Sequence, residues 1–326
     1  MPINIAFCFD ENFWMYAGVT IASLLEADAK SKYYVHCVCP DGFWRGILIK
    51  NLSRYKNAVL QFHAPTRDYD HSFIRKYWTP AIYYRLMLPE LLPELDSIIY
   101  ADCDVVFNQG LGDLQKFINK RGKKDEFIWA VKDNMNLPSH SKLLLPYHKL
   151  LIPDYINSGF LVMNLKEIRE AKLALLWKVM SKNQYVMPDQ DILSITCAGK
   201  IGFLPLKYNC YFFDSPDEYK LKGKRITMRE VLKEMEQEKL FTAQEIQESL
   251  KTPVVIHSYG QKMAWSTRTQ NPLFDYLFWK AARKMDYFEL LNQEFVLQSM
   301  GRGIENAMLE RDLQNPLKRL FIRWRR

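Results

Sequence analysis

The chain has 326 residues, 48% of them hydrophobic and 14% aromatic, with a net charge of +8 at pH 7. That is too apolar for a disordered chain and long enough for one large α/β domain with an appendage, or for two small domains. The charge admits an anionic small molecule, a membrane surface or nucleic acid as partner. The six cysteines include no Cys-x-x-Cys pair and read as buried thiols in a reducing compartment.

Residues 1–7 lack the basic start of a signal peptide, and no apolar run nears the roughly 20 residues that span a bilayer, so an intracellular protein is expected. The first predicted strand runs from Ile3 to Phe9 and stops at Asp10-Glu11-Asn12. A helix follows from Trp14 to Leu25, with Met15, Val19 and Ala22 at helical spacing. Ligands of open α/β sheets bind beyond the carboxyl ends of such strands, which is where Asp10 and Asn12 fall. Helix capping is the ordinary alternative for both. A second strand, Tyr33 to Cys39, a helix to about Tyr55 and a third strand, Ala58 to His63, continue the alternation, which predicts a mostly parallel sheet covered on both faces. Neither a Gly-x-Gly-x-x-Gly turn after the first strand nor a P-loop is present.

A helix is expected over Pro80 to Leu88. Its Arg85, flanked by apolar residues, needs a carboxylate partner or a ligand. Next comes the stretch Ser97 to Phe107, in which Asp102 and Asp104 stand one residue apart between two apolar runs. If the strand stays extended there, both carboxylates project to one side. Such a pair repels itself unless a hard divalent cation, Mg²⁺ or Mn²⁺, lies between. A strand ending in an Asp-rich turn is the other reading.

Past a short helix at Gly112 to Phe117 and a strand at Glu126 to Val131, a Pro-punctuated connection carries His140 and His148 without metal-ligand spacing. Asn157, Ser158 and Gly159 interrupt the start of a strand running to Leu165, either as a β-bulge or because glycine lets a ligand approach the backbone. One helix from Lys166 to about Asn183 is predicted, then a helix start at Pro188 with Asp189, Gln190 and Asp191 in its first turn, more polar equipment than a cap requires. Residues 215–251 are charged and helix-prone, without a strong apolar face, and read as a solvated helical insertion. His257 ends another apolar strand. Gly260 and Lys262 after it offer a bare backbone amide and a point charge suited to phosphate. Last, Leu317, Leu320, Phe321 and Trp324 share one helical face and Arg319, Arg323 and Arg326 fall toward the other, the pattern of a helix lying on an anionic membrane; a solvated tail or a helix packed on the catalytic domain is the alternative.

The set Phe9-Asp10-Glu11-Asn12, Tyr84-Arg85-Leu86, Tyr100-Ala101-Asp102-Cys103-Asp104, Asn157-Ser158-Gly159, Asp189-Gln190-Asp191 and His257-Ser258-Tyr259-Gly260 resembles the retaining glycosyltransferases of family 8. That family includes bacterial lipopolysaccharide galactosyl- and glucosyltransferases and glycogenin. The motifs follow the family's order from about residue 3 to 265. The resemblance implies a GT-A fold over residues 1–266, with 215–251 as an insertion and a helical C-terminal region, 267–326, ending in the basic tail 316–326. It implies a UDP-hexose donor, a lipopolysaccharide or other cell-surface glycan acceptor, no nucleic acid, and Mn²⁺, with Mg²⁺ as the substitute.

By position, Asp102, Asp104 and His257 look like metal ligands. Asp10 and Asn12 would face the uridine, Arg85, Asn157, Ser158 and Asp189 the donor sugar, and Gly260 and Lys262 the diphosphate. Gln190 would lie beneath the anomeric carbon, so that Gln190 and Asp189 carry the catalytic step. One departure is visible: Met263 and Ala264 stand where the family has Lys and Pro, and Lys262 comes one residue early. The alternatives are a sugar-nucleotide pyrophosphorylase, which would want a Gly-rich basic loop where residues 9–20 offer Gly18 and no Lys or Arg, and a non-enzymatic basic surface-binding protein.

Overall fold

Residues along the first strand alternate between two apolar layers: Ile5 and Phe7 are buried on one side, Ala6 and Cys8 on the other. A strand buried on both faces needs cover above and below, which fixes a three-layer architecture. The computed structural model describes residues 2–74, 78–121, 125–137, 154–212, 218–221, 224–258 and 271–297.

In chain order the strands are β1 (Ile3–Cys8), β2 (Tyr33–Val38), β3 (Ala58–His63), β4 (Ile98–Ala101), β5 (Val105–Phe107), β6 (Ile128–Lys132), β7 (Ile156–Met163), β8 (Ile201–Phe203), β9 (Glu218–Leu221), β10 (Lys224–Thr227) and β11 (Val255–His257). The helices are α1 (Trp14–Ala27), α2 (Trp44–Leu52), α3 (Tyr84–Leu91), α4 (Gly112–Arg121), α5 (Leu165–Glu170), α6 (Leu173–Met180), α7 (Pro188–Thr196), α8 (Met228–Gln237), α9 (Ala243–Lys251) and α10 (Pro272–Ala282). The main sheet has the order β3-β2-β1-β4-β7-β6-β8. All neighbours are parallel except at β7, which runs against β4 and β6. A hairpin, β9–β10, and a separate pair, β5–β11, stand outside it.

One face of the sheet packs against α1, α2, α4, α8, α9 and α10, the other against α3, α5, α6 and α7. Two expectations change. The single helix over 166–183 is two, α5 and α6, parted at Lys172, whose φ of 56° is left-handed; beyond the break Leu173, Ala174 and Trp177 are buried. The described part of 215–251 is not a solvated appendage. Val231, Leu232 and Met235 of α8, with Phe241 and Ile246, join the larger core cluster. Their i, i+4 spacing was diluted by charges on the outer face, and both helices begin with capping boxes, at Thr227 and Thr242. No described helix is long and apolar enough to cross a membrane.

Candidate functional site

The carboxyl ends of β1 and β4 and the start of β7 meet at the β5–β11 pair. β4 stops at Ala101, and Asp102 donates its backbone N–H to the Gly159 carbonyl at 2.9 Å. The chain then turns at Cys103–Asp104 before β5, so the two acids do not lie on one extended strand as the spacing suggested. A turn and a change of sheet bring them together instead. Antiparallel register pairs His257 with Val105, and Ser258 N–H bonds the Asp104 carbonyl at 2.9 Å, which sets the imidazole beside Asp104.

One ligand atom each from Asp102, Asp104 and His257 lie within 4.8 Å of one another. Asp104 Oδ1 is buried and no hydrogen bond reaches it, although His257 Nε2 stands 3.3 Å away as an ion-pair partner. An orphaned carboxylate oxygen, a second carboxylate and an imidazole nitrogen form a donor set that suits a hard or borderline divalent cation, so the residues fit one. Electrostatics agree in direction. Burial, the largest single influence, works against charge on His257, but the Asp104 and Asp102 carboxylates together outweigh it and raise the ring's pKa. Burial also raises Asp102, with Arg85 opposing and Asp104 adding to the rise.

Arg85, buried on α3, holds two acids of the cluster at once. Its Nη2 donates to Asp102 Oδ1 at 2.7 Å, and its Nη1 lies 3.1 Å from Asp189 Oδ2 and 2.8 Å from the Ser158 carbonyl oxygen. Its guanidinium sits 4.5 Å over the Tyr100 ring, whose hydroxyl also donates to Asp102 Oδ1. Both hydrogen bonds use the same oxygen, so Asp102 is turned by its neighbours. The carboxylate partner that a buried arginine requires is thus found twice over.

At the start of α7, Pro188 occupies the first helical turn and Asp189 and Gln190 point inward, both buried. Ser158 Oγ donates to Asp189 Oδ2 at 2.9 Å, and Ser158 N–H donates to Gln190 Oε1 at 2.9 Å. Asp191 acts locally: its Oδ2 accepts from Val186 N and Met187 N, and Tyr155 donates to its Oδ1. The pairing of β6 with β7 jumps between Ala130 and Val131, opposite Asn157-Ser158-Gly159, which is the irregularity the sequence allowed. What closely approaches Gly159 is the His257 ring: a Cβ there would fall 2.3 Å from its Cε1.

Two buried residues that sequence reasoning passed over complete the network. Asp133, just past β6, accepts from Asn157 Nδ2 at 2.9 Å and from Gln190 Nε2 at 3.5 Å; burial pushes its pKa up to about 6. Asn209 bridges Asn157 and His257. Neither belongs to a motif. No spacing marked them: Asp133 stands in Lys132-Asp133-Asn134 after an apolar run, and Asn209 between Tyr208 and Cys210. Asp10 lies two residues past β1, its carboxylate accepting from Asn12 N–H at 2.9 Å and from Thr79 Oγ1 at 2.6 Å; it is buried, whereas Asn12 is exposed. Gly260, Lys262, His140, His148 and the tail 316–326 lie outside the described residues.

A family model described as Glycosyl transferase family 8 matches residues 4–269. The Lipopolysaccharide 1,2-glucosyltransferase of Escherichia coli is 28% identical over 222 residues, 64% of this chain and 62% of that protein. The Lipopolysaccharide 1,3-galactosyltransferase of Salmonella typhimurium is 24% identical over 231 residues, 64% of each chain. The match therefore spans less than two thirds of these relatives' length. Among solved structures, galactosyltransferase LgtC in complex with donor and acceptor sugar analogs superposes with a TM-score of 0.62 at 20% identity, covering 88% of this chain and 95% of that one. This likeness shows the fold, which is GT-A.

Proposed function

The chain belongs to glycosyl transferase family 8, and on that premise we propose that it moves a hexose, glucose or galactose, from a UDP-sugar to a lipopolysaccharide or other cell-surface glycan with retention of configuration. The observation that carries this reading is the Asp102–Asp104–His257 cluster with its orphaned Asp104 oxygen, in a family 8 chain. The names of the relatives, a glucosyl- and a galactosyltransferase of lipopolysaccharide, support the choice of hexose and acceptor. Asp102, Asp104 and His257 would hold Mn²⁺, or Mg²⁺ in its place; when bound, the ion supplies Lewis-acid stabilisation of the charge that develops on the departing diphosphate.

The remaining residues take the parts implied by position. Asp10 and Asn12 face the uridine, and Gly260 and Lys262 the diphosphate. Asn157, Ser158 and Asp189 orient sugar hydroxyls, and Arg85 orients Asp102 and Asp189 as well as facing the sugar. Gln190 lies under the anomeric carbon. Its amide oxygen already accepts from Ser158 N–H, and an amide so engaged is a poor nucleophile. That favours front-face attack by the acceptor over the double displacement that paired carboxylates perform in glycosidases. Residues 1–266 form the catalytic domain, and the basic amphipathic tail 316–326 attaches it reversibly to the inner face of a membrane, each cation adding roughly 1 kcal/mol near anionic lipid.

A donor screen tests the reading. With Mn²⁺ present, one UDP-hexose among several sugar nucleotides is expected to release UDP, and EDTA or Asp104→Ala should stop the release. Absence of turnover with every UDP-sugar, or full activity in EDTA, overturns it.

A further inference from the structure

An imidazole has two nitrogens, and only one of His257's faces the acidic cluster. Nε2 lies 3.3 Å from Asp104 Oδ1, while Nδ1 lies 3.1 Å from Asn209 Oδ1. Which nitrogen carries the hydrogen follows from a run of amides whose far end allows no choice.

Burial pushes Asp133 up to about 6, so at neutral pH and above its carboxylate only accepts. Asn157, 2.9 Å from Asp133 Oδ2, must therefore present Nδ2 to it. Asn157 Oδ1 then faces away, where it accepts from the Gly159 backbone N–H at 3.0 Å and from Asn209 Nδ2 at 2.7 Å. The Gly159 bond is an independent check, because a backbone N–H cannot be flipped. With Nδ2 turned to Asn157, Asn209 turns Oδ1 to His257, and an amide oxygen accepts only from N–H. The hydrogen belongs on Nδ1, which leaves the lone pair of the neutral ring on Nε2. The competing arrangement, Nε2–H given to Asp104 with Asn209 flipped, would set two amide oxygens 2.7 Å apart between Asn209 and Asn157.

We propose that Asn209 is a positioning residue that fixes the tautomer and ring orientation of His257, as the last link of a one-directional relay from Asp133 through Asn157. The relay keeps Nε2 as the atom that meets a divalent cation, and to that extent rests on the metal reading above. Gly159 supplies the steric half of the device, since the ring lies where a Cβ would be. Acceptors of this kind behind a ligating histidine are typically worth 10- to 100-fold in metal affinity.

The test reads the hydrogen directly. In metal-free full-length protein at alkaline pH, where the ring is neutral, long-range proton–nitrogen spectra of the imidazoles should show His257 protonated on Nδ1 and bare on Nε2, with His257 assigned by its loss in His257→Gln. Asn209→Leu, close in size, removes the acceptor; the ring should move toward Nε2–H, and Mn²⁺ affinity, measured without nucleotide by paramagnetic resonance, should fall about 10- to 100-fold. A wild-type ring protonated on Nε2, or an Asn209→Leu protein with unchanged tautomer and affinity, overturns the relay. Should wild-type protein bind no Mn²⁺, the metal reading falls, and the spectra still decide the relay because they need no ion. If Asn209→Leu does not fold, the wild-type spectrum carries the decision.

Discussion

The polar network around the acidic cluster is held on one side by charge and on the other by amides. On the first side Arg85 spans Asp102 and Asp189, three ionisable groups in contact. On the second, Asn157 and Asn209 connect Asp133 to His257 through bonds whose donors and acceptors are fixed in order. A buried charge pair is costly to break because removing one member strands the other. An amide relay holds less energy per bond but specifies direction. The same site thus has a strong side and an oriented one.

The most severe way to test the strong side is Arg85→Met, which keeps length and removes the charge. Asp189, buried, and Asp102, partly exposed, lose their partner, so unfolding by urea should show a loss of about 3–5 kcal/mol; near-wild-type stability would mean that the arginine only faces ligand.

The oriented side contains one buried acid at its root, and pH isolates it. Asp133's carboxyl is raised from 3.8 to about 6 by burial, so the folded state holds this proton more tightly than the unfolded chain. Its contribution to stability is therefore present in full below about pH 4, falls as pH rises from about 4 to about 6, and is flat above, a change of roughly 3 kcal/mol across that window. In EDTA, the unfolding free energy of wild type relative to Asp133→Asn should decline over that window. A difference that stays constant with pH would place the amides' root elsewhere.

Gly159→Ala is the mildest change and touches the seam between the two sides. The new methyl would lie 2.3 Å from His257 Cε1, so the ring must move, at a cost of about 1–3 kcal/mol. Thermal unfolding and Mn²⁺ affinity should both fall. If only stability falls, the ring's placement does not matter to the ion.

Sequence patterning was enough for the strands that alternate between two apolar layers; Ala58–His63 was placed to the residue, and the start of α7 at Pro188 was visible from its proline and acids. The Asp-x-Asp pair and His257 were legible as candidates because each ends an apolar run. Their juxtaposition came from the family resemblance alone and not from spacing, since it depends on the β5–β11 register between residues far apart in the chain. Asp133 and Asn209 were illegible for a different reason: an isolated buried polar residue has no spacing to betray it, and its meaning comes only from what it touches. The buried faces of α8 and α9 were missed because charged residues outnumber the few apolar positions that dock. At Lys172 a lysine in the left-handed region gives no compositional sign of a helix break.

The three residue pairs of β5 and β11 have a consequence in time. They close a loop of about 150 residues, an entropy cost on the order of 4 kcal/mol by chain statistics, and three rungs of ladder do not offset that alone. Support comes from the segment that follows β8: Val254 N–H bonds the Lys207 carbonyl, Cys210 N–H the Val255 carbonyl, and His257 N–H the Cys210 carbonyl. A nascent chain that has emerged only as far as α9 already holds Asp102 and Asp104, but β5 lacks its partner strand and the acids lack His257. Assembly of the cluster is therefore a late event in synthesis, and a ribosome stalled before Val255 presents the sheet without the triad that its carboxyl ends are shaped to complete.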